Sequence, residues 1–481
     1  MFRPTSSIVT TLLTVAFLSI TVVAEEPTTP LSLHPDNPHY FLWRGTPTVL
    51  ITSGEHYGAL MNLDFNYRTY FGELAEHGLN HTRVFSGTYR ELPSSFGITE
   101  NTLAPKQGRY IGPWARSTEA GNADGDKRFD LTAWDTDYFA RLENFMTEAQ
   151  VRGIVVEMTL FCAFYNDALW EASPMNIANN INGVGDYSRV APLTLSHNDL
   201  TEVQLAFTRK MVIEMNRFDN FYFEVCNEPY MQNEFDEWEK RIIDVIVATE
   251  RDLPNKHLIS QNIANKWKKV ENPNPAVSIL NFHYAFPPDA VAMNYPLNRV
   301  VGDSETGFSG SDDLHYRFEG WRFLMAGGAI YNNLDYSFTA THPDGSLRDY
   351  QSPGGGTLEL RRQLGILKVF MDRLDFVTMT PDTSFITKVS PQMRYQALVA
   401  LGQTYAAFLH IPLEGTVPQD RTKPISAMLE VALPEGSYTI EWWDTKTGAI
   451  VKEERLGHDG AYLKLSSPSF VADIALRIDR K

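Results

Sequence analysis

Eight short apolar runs alternate with amphipathic segments between about residues 46 and 376, and this alternation limits the possible folds more than any other feature. The runs are apolar on both faces, which is typical of parallel strands that are covered on both sides. They are PTVLITSG, LNHTRVFSG, GIVVEMTLFCAF, NFYFEVCNEP, HLISQNIAN, VSILNFHYAF, RVVGDSETG and GGAIYNNLDYSF.

Helical periodicity fills the gaps between these runs. Apolar residues recur at intervals of three and four within 138–149, 238–249 and 360–374, so each segment predicts a helix with one apolar face. Eight strand–helix units of this size predict a (β/α)8 barrel, the TIM barrel. The sixth unit is the weakest, because PPDAVAMNYPLN at 287–298 contains two early prolines and predicts no long helix.

The segments on either side of the expected catalytic barrel at 46–376 have different patterns. Residues 25–45 predict a hairpin that turns at Arg44-Gly45 and closes the barrel floor. After the barrel, short alternating runs separated by turn residues predict an antiparallel β-sandwich domain at 377–481. No low-complexity linker separates the two domains, so we expect them to pack directly.

The first 24 residues predict a cleavable secretory signal peptide. Arg3 precedes an apolar stretch at 8–23, which ends in the small-residue pattern VVA. A retained membrane anchor is the alternative. We therefore expect a secreted or periplasmic protein that has no membrane association after cleavage.

The charge of the chain limits its partners. Removal of the first 24 residues, which contain one basic and no acidic residue, changes the formal net charge from −17 to −18. Such an acidic protein repels nucleic acid and anionic membrane surfaces, which favours a neutral or cationic small-molecule partner. The only two cysteines, Cys162 and Cys226, exclude a disulfide-stapled scaffold. They lie in apolar runs and predict two buried thiols, with a single bridge as the alternative.

In a barrel of this type the reactive groups lie at the carboxyl ends of the strands. The fourth run ends in Asn227-Glu228-Pro229 and the seventh ends in Glu305. Because these two strands lie across the barrel mouth from each other, their carboxyl groups can approach to about 5–5.5 Å, the separation in a retaining glycosidase. One carboxylate would attack an anomeric carbon while the other acid protonates the leaving oxygen. We expect burial and the neighbouring anion to raise the pKa of that acid.

The strands FYFEVCNEP and VVGDSETG resemble the two active-site strands of the clan A retaining glycoside hydrolases, the family 5-like enzymes. The resemblance covers roughly residues 46–376. It implies a retaining β-glycosidase without a cofactor, in which Glu228 is the acid/base and Glu305 is the nucleophile. It also implies that Asn227 binds the sugar 2-hydroxyl group. GLNHTRVF resembles the second strand of the clan, with Arg83 as its arginine, which could keep the nucleophile ionised.

Two further segments resemble this clan and one departs from it. NFHYAF resembles its sixth strand, which implies that His283 or Tyr284 lies near the nucleophile. The C-terminal segment SYTIEWWDTKTG resembles a small β domain of the collagen-binding type that follows the barrel in some bacterial members. The eighth run, AIYNNLDYSF, lacks the tryptophan that many relatives place at the sugar subsite, so the substrate is left open.

Other residues are candidates for contacts with a carbohydrate substrate. Glu55 and His56 end the first run, and Asn332 lies in the eighth. Since aromatic faces stack on sugar rings, three tryptophans are candidate platforms: Trp114, Trp170 and Trp321. Glu224 lies on the same strand face as Glu228 but deeper, and we interpret it as structural.

Long insertions follow the second and third runs and are expected on the catalytic face. Loops in that place narrow a cleft into a pocket, which favours an exo-acting or short-substrate enzyme. One insertion contains Asn122, Asp124 and Asp126, which makes a calcium loop conceivable although the spacing departs from the EF-hand pattern.

Two alternatives to a glycosidase without metal or cofactor remain open. One is a non-catalytic carbohydrate-binding protein on the same barrel, against which the intact glutamate pair argues. The other is a metal-dependent barrel hydrolase, which needs a His/Asp cluster at the strand ends that ITSGEHYG does not offer. Activity in the presence of a strong chelator would separate the first interpretation from the last.

Overall fold

Eight parallel strands form a barrel in the computed structural model, which describes residues 29–232, 235–413 and 420–481. The predicted signal peptide lies outside the described residues. The strands hydrogen-bond in the order β1-β8-β7-β6-β5-β4-β3-β2, and all of these pairs are parallel. They are β1 Leu50–Gly54, β2 His81–Phe85, β3 Val155–Cys162, β4 Phe221–Asn227, β5 Ile259–Asn265, β6 Ile279–His283, β7 Val300–Thr306 and β8 Ile330–Leu334.

Individual hydrogen bonds close the barrel between β1 and β2. The backbone N–H of Asn80 donates to the carbonyl of Ile51 at 3.2 Å, and the N–H of Phe85 donates to the carbonyl of Tyr57 at 3.1 Å. The Asn80 side chain adds a bond, since its Oδ1 accepts from the N–H of Ile51 at 3.0 Å. The predicted (β/α)8 fold class is therefore confirmed.

Helices cover the outside of the barrel, and the predicted apolar faces point inward on three of them. These are α2, α5 and α8, where the apolar positions are largely buried. The helices are α1 Tyr67–Glu76, α2 Thr136–Val151, α3 Asp167–Glu171, α4 Asn198–Met215, α5 Asp236–Glu250, α6 Asp289–Asn294, α7 Asp313–Met325 and α8 Leu358–Asp372. None of the helices in the described part of the chain is long and apolar enough to cross a membrane.

The fifth and sixth units depart from a regular barrel. The sixth has only the six-residue helix α6, as its prolines predict. The fifth has no helix between β5 and β6, so the prediction of eight complete strand–helix units is wrong at this point. The connecting residues 266–278 have no apolar period and contain Pro273 and Pro275, which lack the N–H that a helix interior requires.

A small sheet at the N-terminus covers the amino ends of the barrel strands. Its strands Phe41–Trp43 and Thr46–Thr48 pair in antiparallel fashion around Arg44 and Gly45, whose φ angles of 49° and 74° are both left-handed. This is the geometry of a two-residue hairpin turn. Arg44 pairs with Asp219, just before β4, with an Nε to Oδ2 distance of 2.7 Å.

Two antiparallel sheets follow the barrel and enclose a core of their own, as predicted for a β-sandwich. The larger sheet has the order β9-β11-β12-β17-β14-β15, and the smaller has the order β10-β13-β16. The strands are β9 Thr380–Pro381, β10 Ile386–Val389, β11 Arg394–Ala400, β12 Thr404–His410, β13 Met428–Ala432, β14 Gly436–Trp443, β15 Ile450–His458, β16 Tyr462–Ser466 and β17 Asp473–Arg480.

The outer face of the larger sheet packs against helices α7 and α8 of the barrel. The Trp321 and Phe408 rings stack with centroids 5.3 Å apart, so Trp321 is fully buried between the two domains. The prediction that Trp321 is a stacking platform is therefore wrong. Arg317 on α7 forms a buried ion pair with Asp473 on β17, at 2.5 Å between Nη2 and Oδ1.

We expect Asp473→Ala to destabilise the protein by about 3–5 kcal/mol, because it leaves the Arg317 guanidinium buried without its charge partner. Urea-induced unfolding followed by tryptophan fluorescence would measure the change. Glu454→Ala is the control, since that carboxylate is half exposed and pairs with Lys452 at the surface. Equal unfolding midpoints for the two variants would contradict a stabilising role for the buried pair.

Candidate active site

The two glutamates predicted to be catalytic lie together at the carboxyl ends of β4 and β7. Glu228 directly follows β4, and Glu305 is the penultimate residue of β7. One oxygen of each carboxylate and Nδ1 of His283 all lie within 4.8 Å of one another. Both glutamates are nearly buried, with 6% and 5% of their surface exposed. The structure therefore places two carboxylates within reach of one small substrate group.

Glu305 is held by hydrogen-bond donors from β2 and from the segments that follow β1 and β6. Its Oε2 accepts from the Tyr57 hydroxyl at 2.8 Å and from Arg83 Nη1 at 3.0 Å. Its Oε1 accepts from the Tyr284 hydroxyl and lies 3.6 Å from Nδ1 of His283. These contacts fix the carboxylate orientation and place a positive charge beside it.

Glu228 has a different set of donors, without an arginine. Its Oε2 accepts from the Tyr165 hydroxyl at 2.7 Å, and its Oε1 lies 3.2 Å from both the Tyr230 hydroxyl and Nδ1 of His283. Burial works to raise the pKa of Glu228, but the hydrogen bond and charge of His283 and the two tyrosine hydrogen bonds lower it below its ordinary value. The expectation of a raised pKa for this residue is therefore wrong.

Three residues of this site have a left-handed backbone conformation. The φ angles are 57° at Tyr57, 46° at Glu228 and 55° at Tyr284. Such conformations cost non-glycine residues on the order of 1–3 kcal/mol each and concentrate at functional sites. Here the Glu228 N–H donates to Asn262 Oδ1 at 2.7 Å, and the Tyr284 N–H donates to the carbonyl of Glu305 at 2.8 Å. These bonds hold the strained turns that aim the side chains at the barrel axis.

Arg83 connects the two carboxylates to a buried polar layer inside the barrel. Besides Glu305, its guanidinium binds Glu224, and it donates to Asn227 Oδ1 at 2.6 Å. Its Nε lies 3.2 Å from Glu157 Oε1. Glu224 is therefore structural, as interpreted from the sequence, and it acts by holding Arg83.

Glu157 and Glu224 form a hydrogen-bonded carboxyl pair beneath Arg83. Asn281 Nδ2 donates to both, at 2.9 Å and 3.1 Å. Burial and the charge of Glu224 raise the pKa of Glu157 well above its usual range. Burial opposes ionisation of Glu224 as well, but Arg83 and the bond from Glu157 lower its pKa. Both shifts favour the shared proton on Glu157 rather than on Glu224.

Asn227 lies between this layer and the cavity. Its Nδ2 donates to the Tyr165 hydroxyl at 2.8 Å and lies 3.4 Å from the sulfur of Cys162. Cys162 and Cys226 are both free and buried, as predicted, so the alternative of a bridge is wrong.

A cavity of about 240 Å³ opens above the two carboxylates. Aromatic side chains from several strand ends and loops form most of its wall, together with a third carboxylate. The lining residues are His56, Tyr57, Phe85, Tyr89, Glu91, Phe96, Leu103, Tyr165, Asn227, Glu228, Met231, Asn265, Tyr284, Glu305 and Phe308. Of the residues predicted to contact substrate, this set contains His56, Asn227 and Tyr284.

Two other polar candidates are not among the residues that line this cavity. The Glu55 carboxylate accepts from the N–H groups of Gly58 and Ala59 at 3.1 Å and 3.0 Å, so it caps its own loop. Asn332 is buried in the barrel, where its Nδ2 donates to the carbonyl of Ser304 at 2.9 Å. The structure therefore does not place these two residues on the cavity wall, and their contact with substrate stays a prediction.

The remaining tryptophan candidates are buried inside the loop region. Trp114 packs against Phe207 with ring centroids 5.5 Å apart, and none of its surface is exposed. Trp170 on α3 packs against Phe164 at 5.0 Å and donates from Nε1 to the carbonyl of Tyr187. Neither ring can stack on a sugar, so this prediction is wrong as well.

The conceivable calcium loop has a different role. It forms the turn of a hairpin with strands Trp114–Ala120 and Lys127–Trp134. The Asp124 carboxylate pairs with Arg116 and lies 3.4 Å from Nη1 of Arg90. Among the described residues, only Glu228, His283 and Glu305 form a group of ligand atoms close enough to hold a metal ion.

Several site residues were missed from the sequence although they lie close to strand ends. Tyr165 comes three residues after β3, and Tyr230 follows Pro229 directly. Both donate to Glu228. A rule that counts hydroxyl donors within three residues of each strand end would have found them. Glu91 and Phe96 lie in a long loop, where no such signal exists.

The fold and the position of the paired carboxylates define a class of protein, a TIM barrel with a trailing β-sandwich and a polar site at the carboxyl ends of its strands. No protein-family model and no curated protein sequence matches the chain. Solved structures do match it, and three that match over nearly the whole chain are described as glycoside hydrolases, one of them provisionally.

Three of these structures are similar over nearly the whole chain. One is a Bacteroides vulgatus ATCC 8482 protein assigned provisionally to the glycoside hydrolases, with 13% identity, a TM-score of 0.66, and coverage of 95% of this chain and 84% of the other. A second glycoside hydrolase has 14% identity, a TM-score of 0.61 and coverage of 94% and 97%. A family 5 glycoside hydrolase from the same Bacteroides strain has 13% identity, a TM-score of 0.60 and coverage of 94% and 93%. At these identities the likeness is one of fold.

We expect Glu157→Gln to gain stability relative to the wild type as the pH rises. The stability that the protonated Glu157 contributes is complete below the ordinary pKa of a glutamate and is lost as the pH rises toward its raised pKa. A glutamine does not titrate and so avoids that loss. Free energies of unfolding of both proteins at about pH 4 and about pH 7, either side of the ordinary range, would show the change.

Glu224→Gln is the matched variant and should behave in the opposite way. The pKa of Glu224 is lowered, so its contribution is present above the ordinary pKa and is lost as the pH falls. Glu224→Gln should therefore be most destabilising at neutral pH. If the two variants exchanged these behaviours, the shared proton would lie on Glu224 instead.

Proposed function

We propose that the protein is a retaining β-glycosidase in which Glu305 is the nucleophile and Glu228 is the acid/base. The observation on which this rests is the approach of the two carboxylates, whose nearest oxygens lie within 4.8 Å at the ends of β4 and β7. Retaining enzymes hold their carboxyl groups about 5–5.5 Å apart, whereas inverting enzymes keep them about 6.5–9.5 Å apart to admit a water molecule. The short separation favours the retaining mechanism, in which one carboxylate attacks the anomeric carbon.

In the first step, Glu305 attacks the anomeric carbon and the glycosidic bond breaks. Arg83 at 3.0 Å favours the ionised form that attacks, and the Tyr57 hydroxyl fixes the direction of Oε2. The leaving oxygen receives the proton from Glu228, so the aglycone departs as a neutral alcohol. The sugar is then held by an ester bond to Glu305.

In the second step, Glu228 removes a proton from water, and the resulting hydroxide attacks the anomeric carbon. The ester bond breaks, Glu305 is released as a carboxylate, and Glu228 is again protonated. His283 lies between the two glutamates, with Nδ1 3.2 Å from one and 3.6 Å from the other, and holds both in register. Asn227, fixed by Arg83 and lining the cavity, is the group that would bind the sugar 2-hydroxyl.

The fold similarity supports this proposal, since the three structures that match nearly the whole chain are described as glycoside hydrolases, one of them provisionally. A metal-dependent mechanism fits the donor set less well. The oxygens of Glu305 already accept from Tyr57, Arg83 and Tyr284, and a cation there would be repelled by the guanidinium. We also propose that the enzyme is secreted, on the basis of the N-terminal sequence.

Azide rescue would test the two roles. Glu228→Ala should lose about 10²–10⁴-fold in rate on substrates whose leaving group needs a proton, the usual contribution of a general acid. An aryl glycoside with an acidic phenol should still form the glycosyl-enzyme. Azide should then restore turnover and yield the β-glycosyl azide, because it attacks the intermediate without a base.

The nucleophile variant should give the opposite anomer. In Glu305→Ala, azide displaces the aglycone directly, so the product should be the α-glycosyl azide. The anomer is read by NMR of the product, and Glu202→Ala, on the exposed face of α4, is the control for normal activity. The same azide anomer from both variants would show that the roles, or the retaining mechanism, are wrong.

Tyr165→Phe should move the basic limb of the pH profile of kcat/KM to higher pH. The general acid must be protonated, so kcat/KM falls as the pH rises through the pKa of Glu228 in the free enzyme. That pKa is lowered, which predicts the highest activity at acid pH. Loss of the Tyr165 hydroxyl removes a donor to Glu228 Oε2 and raises the pKa.

Tyr462→Phe serves as the matched control, because this tyrosine is exposed on β16 of the β-sandwich. Its pH profile should equal that of the wild type. A Tyr165→Phe profile with an unmoved or acid-shifted basic limb would show that another group controls this limb.

A further inference from the structure

We propose that the cavity recognises a single neutral monosaccharide at the non-reducing end of its substrate, and that His56 and Glu91 are the residues that bind the hydroxyl groups of this sugar. The enzyme would then be exo-acting. This inference rests on the proposed function for the identity of the ligand as a sugar. It assigns to His56 and Glu91 a role outside the catalytic pair.

The size of the cavity fits one sugar ring. Its volume is about 240 Å³, whereas pockets that enclose drug-sized ligands occupy about 300–1,000 Å³. A monosaccharide has roughly half the atoms of such a ligand. A second sugar unit would therefore lie outside the enclosed volume.

The exposure of the lining residues distinguishes the rim of the cavity from its closed side. The large exposed side chains are Phe96 at 41%, Met231 at 53% and Phe308 at 38%. Tyr89, Glu91 and Leu103 on the wall formed by the loop after β2 are buried. An endo-acting enzyme needs a groove through which the substrate chain continues in both directions, and the buried wall closes one side of this cavity.

Hydrogen bonds within and between two loops hold that wall in place. The N–H of Glu91 donates to the carbonyl of Leu103 at 2.9 Å, and the Thr102 hydroxyl donates to the carbonyl of His56 at 2.7 Å. Asn101 Nδ2 donates to Glu91 Oε2 at 2.5 Å. The loop after β1 and the loop after β2 are thus joined into one rigid surface.

His56 and Glu91 form a polar pair on this surface. His56 Nε2 lies 3.2 Å from Glu91 Oε2, and both residues line the cavity. His56 is 94% buried, and its Nδ1 has no hydrogen-bond partner among the described residues. A buried nitrogen without a partner is costly unless a ligand or water satisfies it. A sugar hydroxyl group is a ligand of the right chemistry, because it can both accept and donate.

The charges around the cavity favour a neutral sugar. Glu91, Glu228 and Glu305 bring three carboxylates to its wall, and His56 is the single basic residue among the lining residues. Burial lowers the pKa of His56, but the charge and hydrogen bond of Glu91 raise it above its ordinary value. The lining contains no lysine or arginine that could pair with the carboxylate of a uronic acid, which would lie among these acidic side chains.

Binding of free monosaccharides would test the inference without any turnover. The wild-type protein is titrated calorimetrically with a panel of neutral aldoses and with glucuronic and galacturonic acid. One neutral aldose should bind with a stoichiometry of one. Glu91→Gln should weaken that binding by at least about tenfold, the effect of one hydrogen bond to a charged group, while Glu202→Gln should leave it unchanged.

A second measurement does not depend on a variant that must fold. β-Linked oligosaccharides labelled at the reducing end should be shortened by the wild-type enzyme one residue at a time, with free monosaccharide present from the first time point. Early appearance of labelled products from internal cleavage would overturn the inference and leave the proposed function standing. Binding of a uronic acid in preference to every neutral aldose would also overturn the inference. Unchanged affinity for the aldose in a folded Glu91→Gln protein would do the same.

The two proposals can fail separately. If one neutral aldose binds as described but no glycoside is hydrolysed, the proposed function is wrong and the sugar site remains. If glycosides are hydrolysed but no monosaccharide binds, the inference is wrong and the catalytic assignment remains.

Discussion

The buried guanidinium of Arg83 is the interaction on which the active site depends. It is fully enclosed in the barrel and contacts carboxylates from β3, β4 and β7, as well as the amide of Asn227. No other described group in this layer provides a fixed positive charge, so Arg83 determines how many of the carboxylates can be ionised. Leaving such a buried charge without its partners costs about 3–5 kcal/mol, which ties the stability of the barrel to the geometry of the site.

Tyrosine hydroxyls supply further hydrogen bonds to the two carboxylates of the site. Glu305 contacts Arg83 and accepts hydrogen bonds from the Tyr57 and Tyr284 hydroxyls, whereas Glu228 accepts hydrogen bonds from the Tyr165 and Tyr230 hydroxyls. The two glutamates have the same carboxyl group, so only their surroundings distinguish them. Glu305 lies beside a permanent cation, whereas Glu228 is surrounded by neutral hydroxyls and an imidazole. Left-handed backbone is found at the two tyrosines that donate to Glu305, Tyr57 and Tyr284.

Much of this architecture was predictable because it follows from periodic patterns. The eight strands, the apolar faces of α2, α5 and α8, and the positions of Glu228 and Glu305 all depend on local sequence and on the general rule that barrel chemistry lies at strand ends. The missing fifth helix was not predicted, since a short proline-containing connection resembles a short helix with its flanking turns. Burial of Trp114 and Trp170 could not be predicted either, because it depends on contacts with Phe207 of α4 and with Phe164 that form only in the folded chain. The lowered pKa of Glu228 depends on donors from β3 and β6 that come together only in the folded chain.

The contacts of Arg83 also have a consequence for how the protein is made. Its partner Glu305 lies 222 residues further along the chain. At a synthesis rate of about 5–20 residues per second, roughly 11–44 seconds separate the appearance of the two residues from the ribosome. During that interval the first half of the barrel contains a guanidinium that belongs in the interior and lacks the carboxylate of β7. We expect the nascent half-barrel to keep this strand hydrated and open until β7 emerges, so the centre of the barrel closes only after most of the chain has been synthesised.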